Sequence, residues 1–171
     1  MSALAAGVAC PNSAVSARSV VALLFACSGC AVTHASTPWV GTWRMTAVES
    51  RDSAAGPWRR PFGDAPSGYV IYGADGAHAM NFTRTPVAPM FAAGVDRGAT
   101  ERELRDAYEG YFSWYGRYDV DPARGVIMHR IEGSLWPSWR NTVQERPYLI
   151  RGDTMFLGDL VRARRVLVRV R

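Results

Sequence analysis

From Trp39 onward the chain consists of short runs with a period of two, cut at close intervals by turn residues, and few folds accept such a pattern. The last seven residues, Arg165-Val166-Leu167-Val168-Arg169-Val170-Arg171, alternate without a break. Strand-like runs also occupy residues 41–49, 68–72, 78–83, 115–120, 125–133, 141–150 and 154–157. Ala74-Asp75-Gly76 has the Asp-Gly pair of a tight hairpin. Asp121-Pro122-Ala123-Arg124-Gly125 and Arg151-Gly152-Asp153 carry turn residues of the same kind. Residues 50–67 and 85–98, rich in Gly or Pro, read as loops. One stretch follows the helical period instead. Thr100 and Glu103 form a capping box, and Leu104, Ala107, Tyr108, Tyr111 and Tyr115 fall on one face, which predicts a helix over about 100–114. The expected fold is all-β: an antiparallel up-and-down barrel of about eight strands with one inserted helix, closed so that no sheet edge is left open.

Residues 1–35 differ in kind. Arg18 is their one charged residue, and the apolar run Val20-Val21-Ala22-Leu23-Leu24-Phe25-Ala26 follows it, then small residues to Ala35. A basic start, a short apolar stretch and a small-residue exit describe a secretory signal peptide, too short in its apolar part to span a bilayer. The expected domains are therefore a signal at 1–35 and a barrel at 36–171. All three cysteines, Cys10, Cys27 and Cys30, fall in the leader. The barrel region is thereby left with neither disulfide nor thiol chemistry. Leu24-Phe25-Ala26-Cys27 and Cys27-Ser28-Gly29-Cys30 each resemble a lipoprotein box, so a membrane tether through a lipidated Cys27 or Cys30 competes with release as a free periplasmic or secreted protein. As a redox CxxC the second box lacks the strand before it and the helix after it that the chemistry needs.

The formal charge is +5, and every Lys/Arg position is arginine. Those arginines are scattered, apart from Arg59-Arg60 and the group Arg162, Arg164 and Arg165, so the stripe of charge expected of a nucleic-acid protein is missing. Neither a glycine-rich phosphate loop nor a G-x-S-x-G elbow occurs. With His78 and His129 as the only histidines beyond the leader, no metal site and no cofactor are expected.

Gly41-Thr42-Trp43 at the head of the first strand resembles the lipocalin opening. The later stretches Gly68-Tyr69-Val70-Ile71-Tyr72, Tyr108-Glu109-Gly110-Tyr111 and Tyr118-Asp119-Val120-Asp121 extend the likeness. So does His129-Arg130-Ile131-Glu132-Gly133-Ser134-Leu135-Trp136-Pro137-Ser138-Trp139, followed by Thr142, Gln144 and Arg146. Together they resemble the bacterial and fungal lipocalin-like domain family. The C-terminal end departs from that pattern through a short 158–163 segment and the ending Leu167-Val168-Arg169, which leaves the pairing of the last strands open. The resemblance implies a small calycin-type barrel in which Trp43 packs across the floor, Arg169 covers it, and Gly41 completes the signature.

Period two places Ile127, His129 and Ile131 on one face, the inward one, and Met128, Arg130 and Glu132 on the other. Thr142, Gln144, Arg146 and Tyr148 share a face of the next strand. If that face is also inward, a histidine, an amide and a guanidinium are buried together, which is unfavourable unless they are paired or bound. His129, Gln144, Arg146 and Thr142 are then candidate ligand-binding residues, with Tyr72, Tyr108 and Tyr111 lining the entrance. Two plainer arrangements compete. In a filled barrel His129 is hydrogen-bonded internally and Arg146 pairs with Glu49 or Glu132. The tyrosine stripe can likewise simply cap one barrel end. The function that follows is an exported barrel holding a small, largely apolar molecule with a polar group. An isomerase or cyclase using His129 as acid or base, with Arg146 or a tyrosine on an oxyanion, is the alternative. Carrier or enzyme is not decided by residue types, nor is the oligomeric state.

Overall fold

The computed structural model describes residues 37–94 and 97–171. The expected signal peptide, with Cys27 and Cys30, lies outside the described residues. Eight strands follow in order: β1 (Gly41–Ser50), β2 (Ser67–Tyr72), β3 (Ala77–Thr83), β4 (Tyr111–Asp121), β5 (Val126–Ser134), β6 (Val143–Arg151), β7 (Thr154–Leu157) and β8 (Ala163–Arg169). One helix, α1 (Glu101–Glu109), precedes β4, and a 3-10 turn at Pro137–Trp139 follows β5. Each strand pairs antiparallel with the next, and β8 returns to β1, so the barrel is closed. The pairing left open by the sequence runs from Trp43↔Arg169 to Ser50↔Ala163, and the short 158–163 segment suffices because β7 and β8 are adjacent.

Turn residues act where they were expected. Asp75 Oδ1 accepts from the Ala77 N–H at 3.0 Å, and Gly76 takes φ +82°, a left-handed value that suits glycine. Asp121 Oδ1 accepts from the Arg124 N–H at 3.0 Å in the next hairpin. At α1 the Glu103 N–H donates to Thr100 Oγ1 while Thr100 N–H donates to Glu103 Oε2, closing the capping box.

The helix is shorter than its apolar stripe predicts. It ends at Glu109, and none of its residues is buried. From Tyr111 the chain is strand, because Phe112, Trp114 and Tyr118 alternate into the core and bury far more apolar surface than a helical continuation could. Tyr111 and Tyr115 therefore stand on the outer face of β4, exposed.

Register carries the inward set around the barrel. Trp43 faces Val70, Val70 faces Met80, and Met80 faces Trp114. A bulge in β1 between Met45 and Ala47 shifts the phase by one, so Val48 rather than Ala47 continues inward opposite Arg165. On the outer face next to it, Glu49 is buried under the 51–66 loop and held by Arg164 at 2.8 Å and Arg60 at 3.5 Å. Arg164 and Arg51 also lie 4.2 and 4.3 Å from the ring centroid of Trp58, pinning that loop to the wall.

The barrel floor is built on Trp43 and Arg169. Trp43 is fully buried, and its Nε1–H donates to the Trp39 carbonyl at 2.8 Å. Above the ring sits the Arg169 guanidinium, 4.1 Å from the centroid, its Nη1 donating to the Val40 carbonyl at 3.0 Å and its Nη2 to that of Pro38. Gly41 has φ +128°, and a Cβ there would stand 3.2 Å from Arg169 Nη1. Trp43→Ala should lower unfolding free energy by about 3–5 kcal/mol. Arg169→Ala, which loses the cation–π contact and the covering stem, should lower it by about 1–2 kcal/mol. Urea titration checks both, and an Arg169→Ala barrel as stable as the parent would refute the covering role.

Candidate functional site

The site begins with β6. Its alternate residues are half-buried all along the strand while their neighbours are exposed, so Thr142 just before the strand and Gln144, Arg146, Tyr148 and Ile150 within it face the interior. A relay of hydrogen bonds orders the first three. Thr142 Oγ1 donates to the Trp139 carbonyl at 2.7 Å, Gln144 Nε2 donates to Thr142 Oγ1 at 2.9 Å, and Arg146 Nη2 donates to Gln144 Oε1 at 2.9 Å. Arg146 Nη1 donates to the Glu145 carbonyl at 2.8 Å. Thus the Thr-x-Gln-x-Arg spacing makes a ladder whose last rung aims a guanidinium inward. That guanidinium lies 5.8 Å from the Trp114 ring centroid and 5.7 Å from that of Trp139. Among the described residues neither Glu49 nor Glu132 pairs with it: Glu49 is on the outer face with Arg164, and Glu132 is exposed on the outward side of β5.

His129 is fully buried opposite Gln144. Its Nδ1 lies 3.2 Å from the Gln144 carbonyl, which can only accept, so the proton resides on Nδ1. Nε2 is then an acceptor, and Tyr72 donates its hydroxyl proton to it at 2.8 Å. Burial, above all, holds the imidazole well below its ordinary pKa, with the His78, Arg146 and Arg165 charges acting in the same direction. Burial likewise drives the Tyr72 phenol up, against the pull of Arg165 and Arg146. At neutral pH the pair is an uncharged phenol on an uncharged imidazole.

Three participants were not picked out as site residues in the sequence. His78 is buried, its ring centroid 4.9 Å from that of His129. Neither of its nitrogens has a hydrogen-bond partner among the described residues. Burial pushes its pKa down to about 4, with the Gly116 and Arg117 backbone opposing only in part. Trp114 lies between β3 and β5, 5.4 Å from His129 by ring centroids, with its indole N–H also unpartnered among the described residues. Arg165 is the third. Its register opposite Val48 and Leu157 turns it inward, its guanidinium stands 5.8 Å from the Phe112 centroid, and its enclosed Nε meets no acceptor among the described residues. Burial pushes its pKa down to about 10, with Arg146 adding to the shift.

Of the seven residues the sequence marked for ligand binding, the structure brings His129, Gln144, Arg146, Thr142 and Tyr72 together in the interior. Tyr72 is a deep member, fully buried, where the sequence placed it at the entrance. Tyr108 and Tyr111 stay outside. They line a groove of about 440 Å³ with Thr83, Val87, Ala88, Ala107 and Leu135, on the outer surface between α1 and the barrel wall. No cluster of metal-ligating side chains occurs among the described residues.

A closed eight-stranded antiparallel barrel with a tryptophan floor, an arginine over it and polar side chains gathered inside defines a lipocalin-type domain. The pattern of the family described as lipocalin-like domain matches residues 40–166, and the chain belongs to that family. It is similar to the 4'-hydroxy-3'-methoxypropiophenone carrier protein ppsC of Aspergillus oryzae, with 28% identity over 81 residues, which is 44% of this chain and 73% of that protein. Among solved structures it is similar to an uncharacterized protein from Bacteroides eggerthii at 13% identity, with a TM-score of 0.43 and coverage of 77% of this chain and 99% of that one.

The buried histidines set a pH dependence of stability. A histidine whose folded pKa is depressed resists a proton that the unfolded chain accepts, so its contribution is complete above the unfolded value and is lost as pH falls toward the folded one. For His78 that window runs from 6.5 down to about 4. The urea midpoint should fall across it, and His78→Leu should flatten part of the slope. Parallel slopes for parent and variant would show that His78 does not titrate as its burial dictates.

Proposed function

We propose that this protein is an exported carrier, a lipocalin-like barrel that holds one small, largely aromatic or apolar molecule in its interior and orients it by a few polar groups. The observation that carries this proposal is the inner face of β6. Its side chains are half-buried where those of β2 to β5 are mostly buried, so solvent reaches a wall bearing Gln144 and Arg146 beside Trp114 and Trp139. Apolar walls with a few convergent polar groups are the usual make-up of a small-molecule site. The family and the likeness to a protein named as a carrier point the same way. Native mass spectrometry of protein purified from its own cells should find a co-purifying small molecule, and apolar aromatic probes should quench tryptophan fluorescence. A barrel that carries nothing and binds no probe would sink the carrier function.

Export to the periplasm or beyond, with a lipid tether at Cys27 or Cys30 as a variant of it, is supported by the character of residues 1–35. Cell fractionation tests it. Recovery of the chain, leader intact, in the cytoplasm of its native cells would exclude export.

The Tyr72–His129 hydrogen bond gives the enzymatic alternative a definite form, an acid–base pair on an isomerase or cyclase substrate. His129→Ala separates the two functions. An enzyme should lose turnover by about 100-fold or more, whereas a carrier should keep its ligand affinity within a few-fold.

A further inference from the structure

Among the described residues, the interior holds arginine without acid. The inward positions include Arg146, Arg165 and Arg169, and following the register around the barrel meets no Asp or Glu on that face. Arg169 is accounted for, since it covers Trp43 and donates to two backbone carbonyls. The other two are not. Neither Arg146 nor Arg165 forms an ion pair among the described residues, although the acids that do pair take outer-face or loop arginines such as Arg130 and Arg164. Arg146 uses two of its five N–H groups on Gln144 and Glu145, and Arg165 shows no side-chain hydrogen bond among the described residues. Both guanidiniums lean on one aromatic cluster. Arg146 is against Trp114 and Trp139, Arg165 is against Phe112, and Phe112 is itself 5.5 Å from Trp114 and 5.7 Å from Trp139 by ring centroids.

We propose that the occupant of this interior is a planar aromatic acid, its carboxylate held between Arg146 and Arg165 and its ring against the half-buried Trp139. The proposal rests on the small-molecule function above and narrows it to a charged class. A guanidinium in a partly desolvated site is stable when its planar N–H fork meets a carboxylate, and the described inward positions supply none. The Thr142–Gln144–Arg146 ladder fixes one fork in advance, so binding orders fewer side chains. Neutral Tyr72 and His129 add no competing negative charge. A carboxylate that reaches the two guanidiniums is thus the group that completes this interior.

The test compares 2-naphthoate with its neutral counterpart 2-acetylnaphthalene, using calorimetry and tryptophan quenching on the full chain, the Arg146→Met and Arg165→Met variants and their double. In the parent protein the acid should bind at least tenfold more tightly than the ketone. Each variant should lose most of that preference, read as the ratio of acid to ketone affinity measured on the same variant. The variants should also melt no lower than the parent, because each removes a half-buried unpaired charge; should one fail to fold, the Arg146→Gln and Arg165→Gln pair replaces it. Equal binding of acid and ketone, unchanged by the variants, overturns the acid while leaving the carrier function standing. Binding of neither ligand to the parent overturns both.

Discussion

Closure of the barrel by β8 against β1 is the constraint on which the rest depends. Trp43↔Arg169 at one end of that ladder and Val48↔Arg165 toward the other decide which half of an alternating strand faces inward. The outcome runs against hydropathy. In Arg165–Arg171 the valines would be the natural inward set, yet Leu167 is buried while Val166 and Val168 are half-buried and Val170 is exposed. The arginine–leucine–arginine half wins because Trp43 needs a cover and Leu167 completes the contact with Met45 and Met155. Once that phase is set by a structural arginine at 169, Arg165 must follow it inward two steps away. A residue placed by the needs of the floor thus delivers a charge to the interior.

The fold was largely legible in the sequence because period-two alternation and turn chemistry are local. Every hairpin turn named from Asp, Gly and Pro lies at or beside a strand end, and the capping box at Thr100 starts the helix as expected. The helix end was not legible. Tyr108, Tyr111 and Tyr115 fit a helical face, but Phe112, Trp114 and Tyr118 fit a strand through the same residues. The contest is settled by core partners on β3 and β5 that lie far away in sequence. For the site, His129, Gln144 and Arg146 were readable from strand phase alone. His78 and Arg165 were passed over although strand phase carries the signal, since His78 alternates with Met80 and Phe82, and Arg165 alternates with Leu167 and the Arg169 expected over Trp43. The outer position of Tyr108 and Tyr111 follows from the same helix boundary.

Burial treats the interior groups unequally, and that inequality gives the interior its character. The two histidines and Tyr72 respond to desolvation by staying neutral, each keeping or refusing a proton so that no charge arises. Arginine has no such escape. Even with its pKa pushed down to about 10, Arg165 keeps its proton at neutral pH. Arg146, lowered by the same cause, stands beside two indole faces that offer only partial compensation. The interior therefore retains fixed positive charge amid groups that have shed theirs.

Each of these two charges could be relieved by one substitution on the inward face, since Arg146 has a cross-strand neighbour on β5 and Arg165 one on β7. Ile127 faces Arg146 and Leu157 faces Arg165 directly, and an acid at either place would form a cross-strand pair. Both are fully buried aliphatics instead. Two such pairs would also fix both forks to the wall, leaving no free donor for a guest. Aliphatic neighbours keep the guanidiniums displayed and the surroundings apolar, the combination that lets an incoming anion gain both a fork of hydrogen bonds and a low-dielectric setting in which they are strong. In this chain the inward pairing that would most simply stabilise the barrel is the one that would abolish its receptivity.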